Sequence, residues 1–124
     1  MRGFFRRSLY GKCYIHKETT NPAIFAGYLI RFVFNKEVNP DYIFYYCNSK
    51  LYWLWIDAIQ RPAVQSNINS EEYKSLKIPL PPIEKQNEIA EHISEMQTKA
   101  KELQTEATKV LKDTKNKVEQ MILG

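Results

Sequence analysis

The chain has 124 residues, with 18 Lys+Arg against 14 Asp+Glu and a formal net charge of +4. Apolar residues make up 44% and charged residues 26%, a globular balance that excludes wholesale disorder. No apolar run approaches the ~20 residues of a membrane-spanning helix, and no apolar core of a signal peptide follows the basic start at residues 1–7.

Cys13 and Cys47 lie 34 positions apart, which excludes a CxxC redox motif and a four-cysteine zinc site. They read as free thiols in a reducing cytosol. The positive charge is uneven. Residues 1–40 carry Arg2, Arg6, Arg7, Lys12, Lys17, Arg31 and Lys36 against Glu18 and Glu37, a net +5; residues 41–82 are neutral and residues 83–124 sum to −1. A basic segment with Phe4, Phe5, Tyr10 and Tyr14 among its charges suits either a phosphate-facing surface or a solvated face over a core of aromatics.

In chain order, residues 12–16 fit a short strand. Residues 25–34 fit a second, rich in β-branched and aromatic side chains, with Gly27 as a candidate bulge. Asn39-Pro40-Asp41 reads as a helix start, with Asn39 as N-cap, Pro40 at the first helical position and Asp41 facing the dipole. Ile43, Phe44, Cys47, Leu51, Leu54 (or Trp55) and Ala58 recur at threes and fours, so residues 40–60 are expected to form one amphipathic helix ended by Pro62. Ser70 is a candidate cap for a helical turn at 71–75, and residues 76–80 fit a last short strand.

The composition changes at Leu80-Pro81-Pro82: every aromatic residue precedes position 80, and no glycine or proline follows until Gly124. Residues 83–123 read as one long helix. Ile89, Ile93, Met96, Ala100, Leu103, Ala107 and Val110 are spaced 4, 3, 4, 3, 4, 3, a heptad seam. Leu111, Val118 and Ile122 continue the stripe through an 11-residue step. A body of 82 residues cannot cover a stripe of this length, which implies a partner helix. The expected fold class is α+β: a small mixed α/β head over residues 1–82, followed by a coiled-coil helix over residues 83–124.

Three constellations bear on catalysis. Asn39-Pro40-Asp41-Tyr42 approximates an amino-methyltransferase loop, but lacks the second proline and a glycine-rich cofactor loop; a helix cap accounts for it. Asp41 with Glu72 and Lys74 approximates a metal-dependent nuclease pattern, but these positions fall on helix starts and turns rather than on converging strands. His16 and His92 make neither a metal site nor a catalytic pair. No catalytic residue, metal or cofactor is expected.

Gln65-Ser66-Asn67-Ile68, Ser70-Glu71-Glu72, residues 76–83 (Leu-Lys-Ile-Pro-Leu-Pro-Pro-Ile), and then Gln86, Ile89 and Ala90 form a run that resembles the specificity subunit of type I restriction–modification systems. The resemblance covers roughly residues 24–124. It implies a target-recognition domain that reads duplex DNA, joined to a long helix that pairs antiparallel with a second one and spaces two half-sites. It also implies a methyltransferase subunit docked on helix and head, a restriction subunit recruited through the complex, no catalysis by the chain itself, and a cytoplasmic location. A recognition domain of about 150 residues is expected in that family, so the 82 residues before the helix imply a partial one. Lys85 stands where the family usually has an acid.

The DNA-contact candidates are Arg2, Arg6, Arg7 and Lys12 for phosphates; the amides of Gln65 and Asn67 can pair with bases or, the more usual role, hydrogen-bond the loop to its own backbone. The helix–helix interface comprises Ile89, Ile93, Met96, Ala100, Leu103, Ala107, Val110, Leu111, Val118 and Ile122. The methyltransferase-subunit contact comprises Ile83, Lys85, Gln86 and Ile89. The alternative from another class is a DNA-independent coiled-coil oligomerisation or adaptor module.

Overall fold

A computed structural model describes residues 11–17, 24, 27, 29–59 and 68–124. In chain order the elements are α1 (Pro40–Cys47), α2 (Lys50–Ile59), α3 (Ser70–Ser75) and α4 (Ile83–Leu123). The chain divides into two compact units, Met1–Glu88 and Ile89–Gly124.

The expected α+β head is corrected: the described residues contain helices and no strand. Residues 12–16, 76–80 and the described part of 25–34 carry no regular structure. A strand exists only where a neighbour completes its ladder, so apolar alternation alone cannot make one. Pro79 also removes a donor from the last of these segments, and Pro81 and Pro82 stop it from extending. Its Pro79 carbonyl accepts instead from the Tyr42 hydroxyl at 2.7 Å.

Asn39 caps α1 as its residue type requires: Oδ1 accepts from the amides of Asp41 (2.8 Å) and Tyr42 (3.4 Å), with Pro40 in the first turn. The single helix expected over 40–60 is two. Asn48 donates from Nδ2 to the Phe44 carbonyl (2.8 Å), and its amide turns back to Tyr45 (3.1 Å). Ser49 Oγ then accepts from the amide of Tyr52 (3.4 Å) at the start of α2. Both side chains offer the backbone an alternative to continued helix.

This break rotates the buried face. A continuous helix would bury Leu51, Leu54 and Ala58 beside Cys47. Leu51 and Leu54 are instead exposed, at 62% and 53%, and Tyr52 and Ile56 are fully buried with Cys47. Ile43, Tyr46, Trp53, Trp55, Ile68, Tyr73 and Leu76 pack around those three. Tyr52 lies edge-on to Tyr46 and Trp53, and Trp55 bridges Tyr52 and Tyr73 with ring centroids 6.0 and 5.7 Å away.

The cap of α3 is Asn69 rather than Ser70. Asn69 Oδ1 accepts from the Glu72 amide (2.9 Å) while Glu72 Oε2 accepts from the Asn69 amide (3.0 Å), a reciprocal capping box. The long helix is present over 41 residues, about 60 Å at 1.5 Å rise per residue.

Candidate functional site

The first unit is organised around hydroxyl and amide groups that tie sequence-distant segments together. The Tyr52 hydroxyl donates to the Gly11 carbonyl at 2.7 Å, and lies 3.3 Å from the Tyr73 hydroxyl and 3.6 Å from Cys13 Sγ. Burial, and then the hydrogen bonds with Tyr73 and Cys13, push the Tyr52 phenol well above its ordinary range; burial does the same to Tyr73. Both phenols stay protonated and serve as fixed donors. Gly11 has φ +72°, and a Cβ there would stand 2.7 Å from Ile56 Cδ1, so this close approach needs glycine.

Lys12 follows that anchored glycine and is exposed. Of the other basic residues in the first third, Lys17 pairs with Asp41 at 3.4 Å, and Arg31 and Lys36 are exposed. Arg2, Arg6, Arg7, Gln65 and Asn67 lie outside the described residues.

Gln86 is fully buried. Its Oε1 accepts from the Asn39 amide (2.9 Å), and its Nε2 donates to the carbonyls of Glu37 (3.0 Å) and Pro81 (2.8 Å). Next to it, Asn87 Oδ1 accepts from Asn39 Nδ2 at 2.7 Å. The motif glutamine thus latches the first turn of α4 to the start of α1 and to the proline-rich join. Its side chain is occupied within the chain. The accessible groups at this end of α4 are Lys85, paired with Glu88 at 2.9 Å, and the half-buried Ile83 and Ile89.

The seam in the second unit is open. Ile93 is half-buried; Ala100 and Ala107 are exposed. Met96, Leu103, Val110, Leu111, Val118 and Ile122 are 55%, 57%, 57%, 72%, 48% and 77% exposed.

The residues weighed for catalysis have structural occupations. Asn39 and Pro40 start a helix, Asp41 pairs with Lys17, Glu72 closes a capping box, and Lys74 pairs with Glu71 at 2.7 Å. Among the described residues no group of three His, Cys, Asp or Glu side chains could hold a metal. No described helix is long and apolar enough to cross a membrane.

A helical head anchored through a buried glutamine to a long helix with an open apolar seam is the frame on which the family comparison falls. The model of the type I restriction modification DNA specificity domain matches residues 6–113, and the chain belongs to that family. The comparisons with curated proteins and with solved structures return no match.

Sequence reasoning treated Gln86 as a surface contact. The family motif flagged Gln86 without its role. The Tyr52–Gly11 bond has no local sequence signal, because it joins residues 41 positions apart.

Proposed function

We propose that the chain acts as a DNA-specificity component of a type I restriction–modification complex. It would read duplex DNA through a recognition domain over residues 1–82, use α4 as spacer and pairing helix, and catalyse nothing itself. The observation that carries this reading is the family match across residues 6–113 together with the uncovered seam from Met96 onward. A rigid helix pair can set the distance between two half-sites, which is where spacing specificity arises. Arg2, Arg6, Arg7 and Lys12 supply phosphate contacts, and Gln65 and Asn67 supply amides able to pair with adenine. A methyltransferase subunit docks at Ile83, Lys85 and Ile89, where it meets both head and helix, and a restriction subunit joins through that complex. The setting is the cytoplasm, where its DNA is found.

Duplex binding measured from low to moderate salt, alongside sedimentation, tests the reading. The expected result is a self-associating chain that binds duplex DNA with a steep salt dependence. Self-association with no duplex binding at any salt would leave a coiled-coil adaptor instead. A monomer that binds no DNA would refute both.

A further inference from the structure

Residues 89–124 of α4 form a unit of their own, and their apolar seam is open from Met96 onward. Beside the seam, His92, Lys99, Glu106 and Asp113 recur every seven residues, so they share one flank of the helix. All four are exposed, and among the described residues none of them has an ion pair within the chain. Gln97 and Gln104 stand on the opposite flank of the seam and are also exposed. The first flank carries its cation in one half and its two acids in the other. Such a flank is complementary to itself when one copy is reversed.

We propose that α4 recognises a second copy of this chain, reversed and in a single register, in which Lys99 faces Glu106 of the second copy and His92 faces its Asp113.

The proposal rests on the reading of α4 as a pairing helix and adds the partner it takes and the register it adopts. Charge and volume select that register independently. Reversing one helix brings like flanks together, and charges beside a seam set partner and orientation. Facing 99 with 106 fixes the layers between them: Ala100 against Leu103, Met96 against Ala107 and Ile93 against Val110, each occurring twice by symmetry. Ile93 is already half-buried, so the four inner layers cover most of the seam. Each inner layer sets an alanine against a larger side chain, which keeps the filled volume even along the helix. On the other flank the same register sets Gln97 opposite Gln104, and their amides can donate to and accept from each other.

The neighbouring registers lose this match. A shift of one heptad in one direction sets Lys99 against Lys99, and in the other direction Glu106 against Glu106. A parallel, in-register pair stacks Ala100 on Ala100 and Ala107 on Ala107, which underfills two layers. It also turns Lys99 and Glu106 toward Gln104 and Leu111, neither of which carries an opposite charge.

The test uses the full chain with charge reversals on this flank. Lys99→Glu faces Glu106 with a second acid, and Glu106→Lys faces Lys99 with a second cation. Each replaces two attractive pairs of the dimer by two repulsive ones, so association by sedimentation at low salt should weaken roughly 10- to 30-fold. Mixing the two single variants makes both Lys99–Glu106 contacts attractive again. Native mass spectrometry of the mixture should therefore show the mixed dimer in excess over either self-dimer. The double variant K99E/E106K should associate like the parent, and added salt should shrink all of these differences. Carbodiimide coupling of the parent mixed with its nitrogen-15-labelled form should join Lys99 of one chain to Glu106 of the other. Circular dichroism should show unchanged helix content in each variant, because the substituted positions are exposed. A parent that sediments as a monomer would overturn the pairing-helix reading and this proposal with it. A dimer that ignores the single reversals, gains nothing when they are mixed, or couples Lys99 across chains only to other acids would overturn the register and leave the pairing helix standing.

Discussion

Removing the Gln86 latch tests how the join between head and helix is held. Gln86→Ala leaves three groups without partners: the Asn39 amide and the carbonyls of Glu37 and Pro81. An unsatisfied buried group costs about 1–3 kcal/mol. All three bonds are part-buried, so the low end applies, giving about 3 kcal/mol; loss of the buried side-chain methylene adds about 0.8 kcal/mol. For a unit of this size that corresponds to a fall in Tm of about 15 °C or more. Asn87→Ala removes a single exposed bond to Asn39 Nδ2 and should cost less than about 1 kcal/mol.

Gln86→Glu adds a pH signature. Glutamate keeps the acceptor for the Asn39 amide but, when ionised, places a charge against two carbonyls. The folded state therefore favours the protonated acid and raises its pKa. Stability relative to the parent should be greatest below the unfolded value of about 4.3 and should decline as pH rises from there to the raised folded value. Thermal unfolding of parent and variants is followed at one fixed concentration, because self-association shifts Tm by mass action. Near-ultraviolet dichroism reports Trp53 and Trp55. A Gln86→Ala variant within about 0.5 kcal/mol of the parent, a spread typical of neutral surface changes, would refute the latch. So would a Gln86→Glu variant that tracks the parent at every pH.

Leu103→Asp places an unpaired charge in the seam, and both copies in a dimer would carry it. At about 2 kcal/mol per copy, association should weaken on the order of 10³-fold by sedimentation, with helix content retained. Neutralising Arg2, Arg6 and Arg7 together should flatten the logarithmic salt dependence of duplex binding, by up to about 0.9 for each phosphate that is no longer neutralised. An unchanged slope would place the phosphate-binding groups elsewhere. Lys85→Glu should strengthen co-purification with a methyltransferase subunit. It breaks the exposed pair with Glu88, which costs at most a few tenths of a kcal/mol; equal capture of both forms would show that the charge at 85 is irrelevant. Tyr52→Phe removes the donor to Gly11 and should destabilise the head by about 1–2 kcal/mol in urea unfolding.

Features set by short-range forces were legible in the sequence alone. The long helix follows from heptad periodicity without glycine or proline, and its hydrogen bonds span only four residues. The Asn39 cap follows from one side chain reaching amides two and three residues away. The composition break at the prolines and the motif ending in Gln86 were enough to point to the family. Only the tertiary structure decided the rest, because it depends on groups brought together across the chain. Residues 12–16 and 76–80 read as short strands, but no described segment forms a ladder with either. Two polar residues, Asn48 and Ser49, turned one helix into two and moved burial from Leu51 and Leu54 to Tyr52 and Ile56. Gln86 looked like a surface residue until three backbone groups from two other segments closed around it. The Tyr52 hydroxyl holds the carbonyl of Gly11, 41 residues away in the chain, at a backbone conformation that favours glycine.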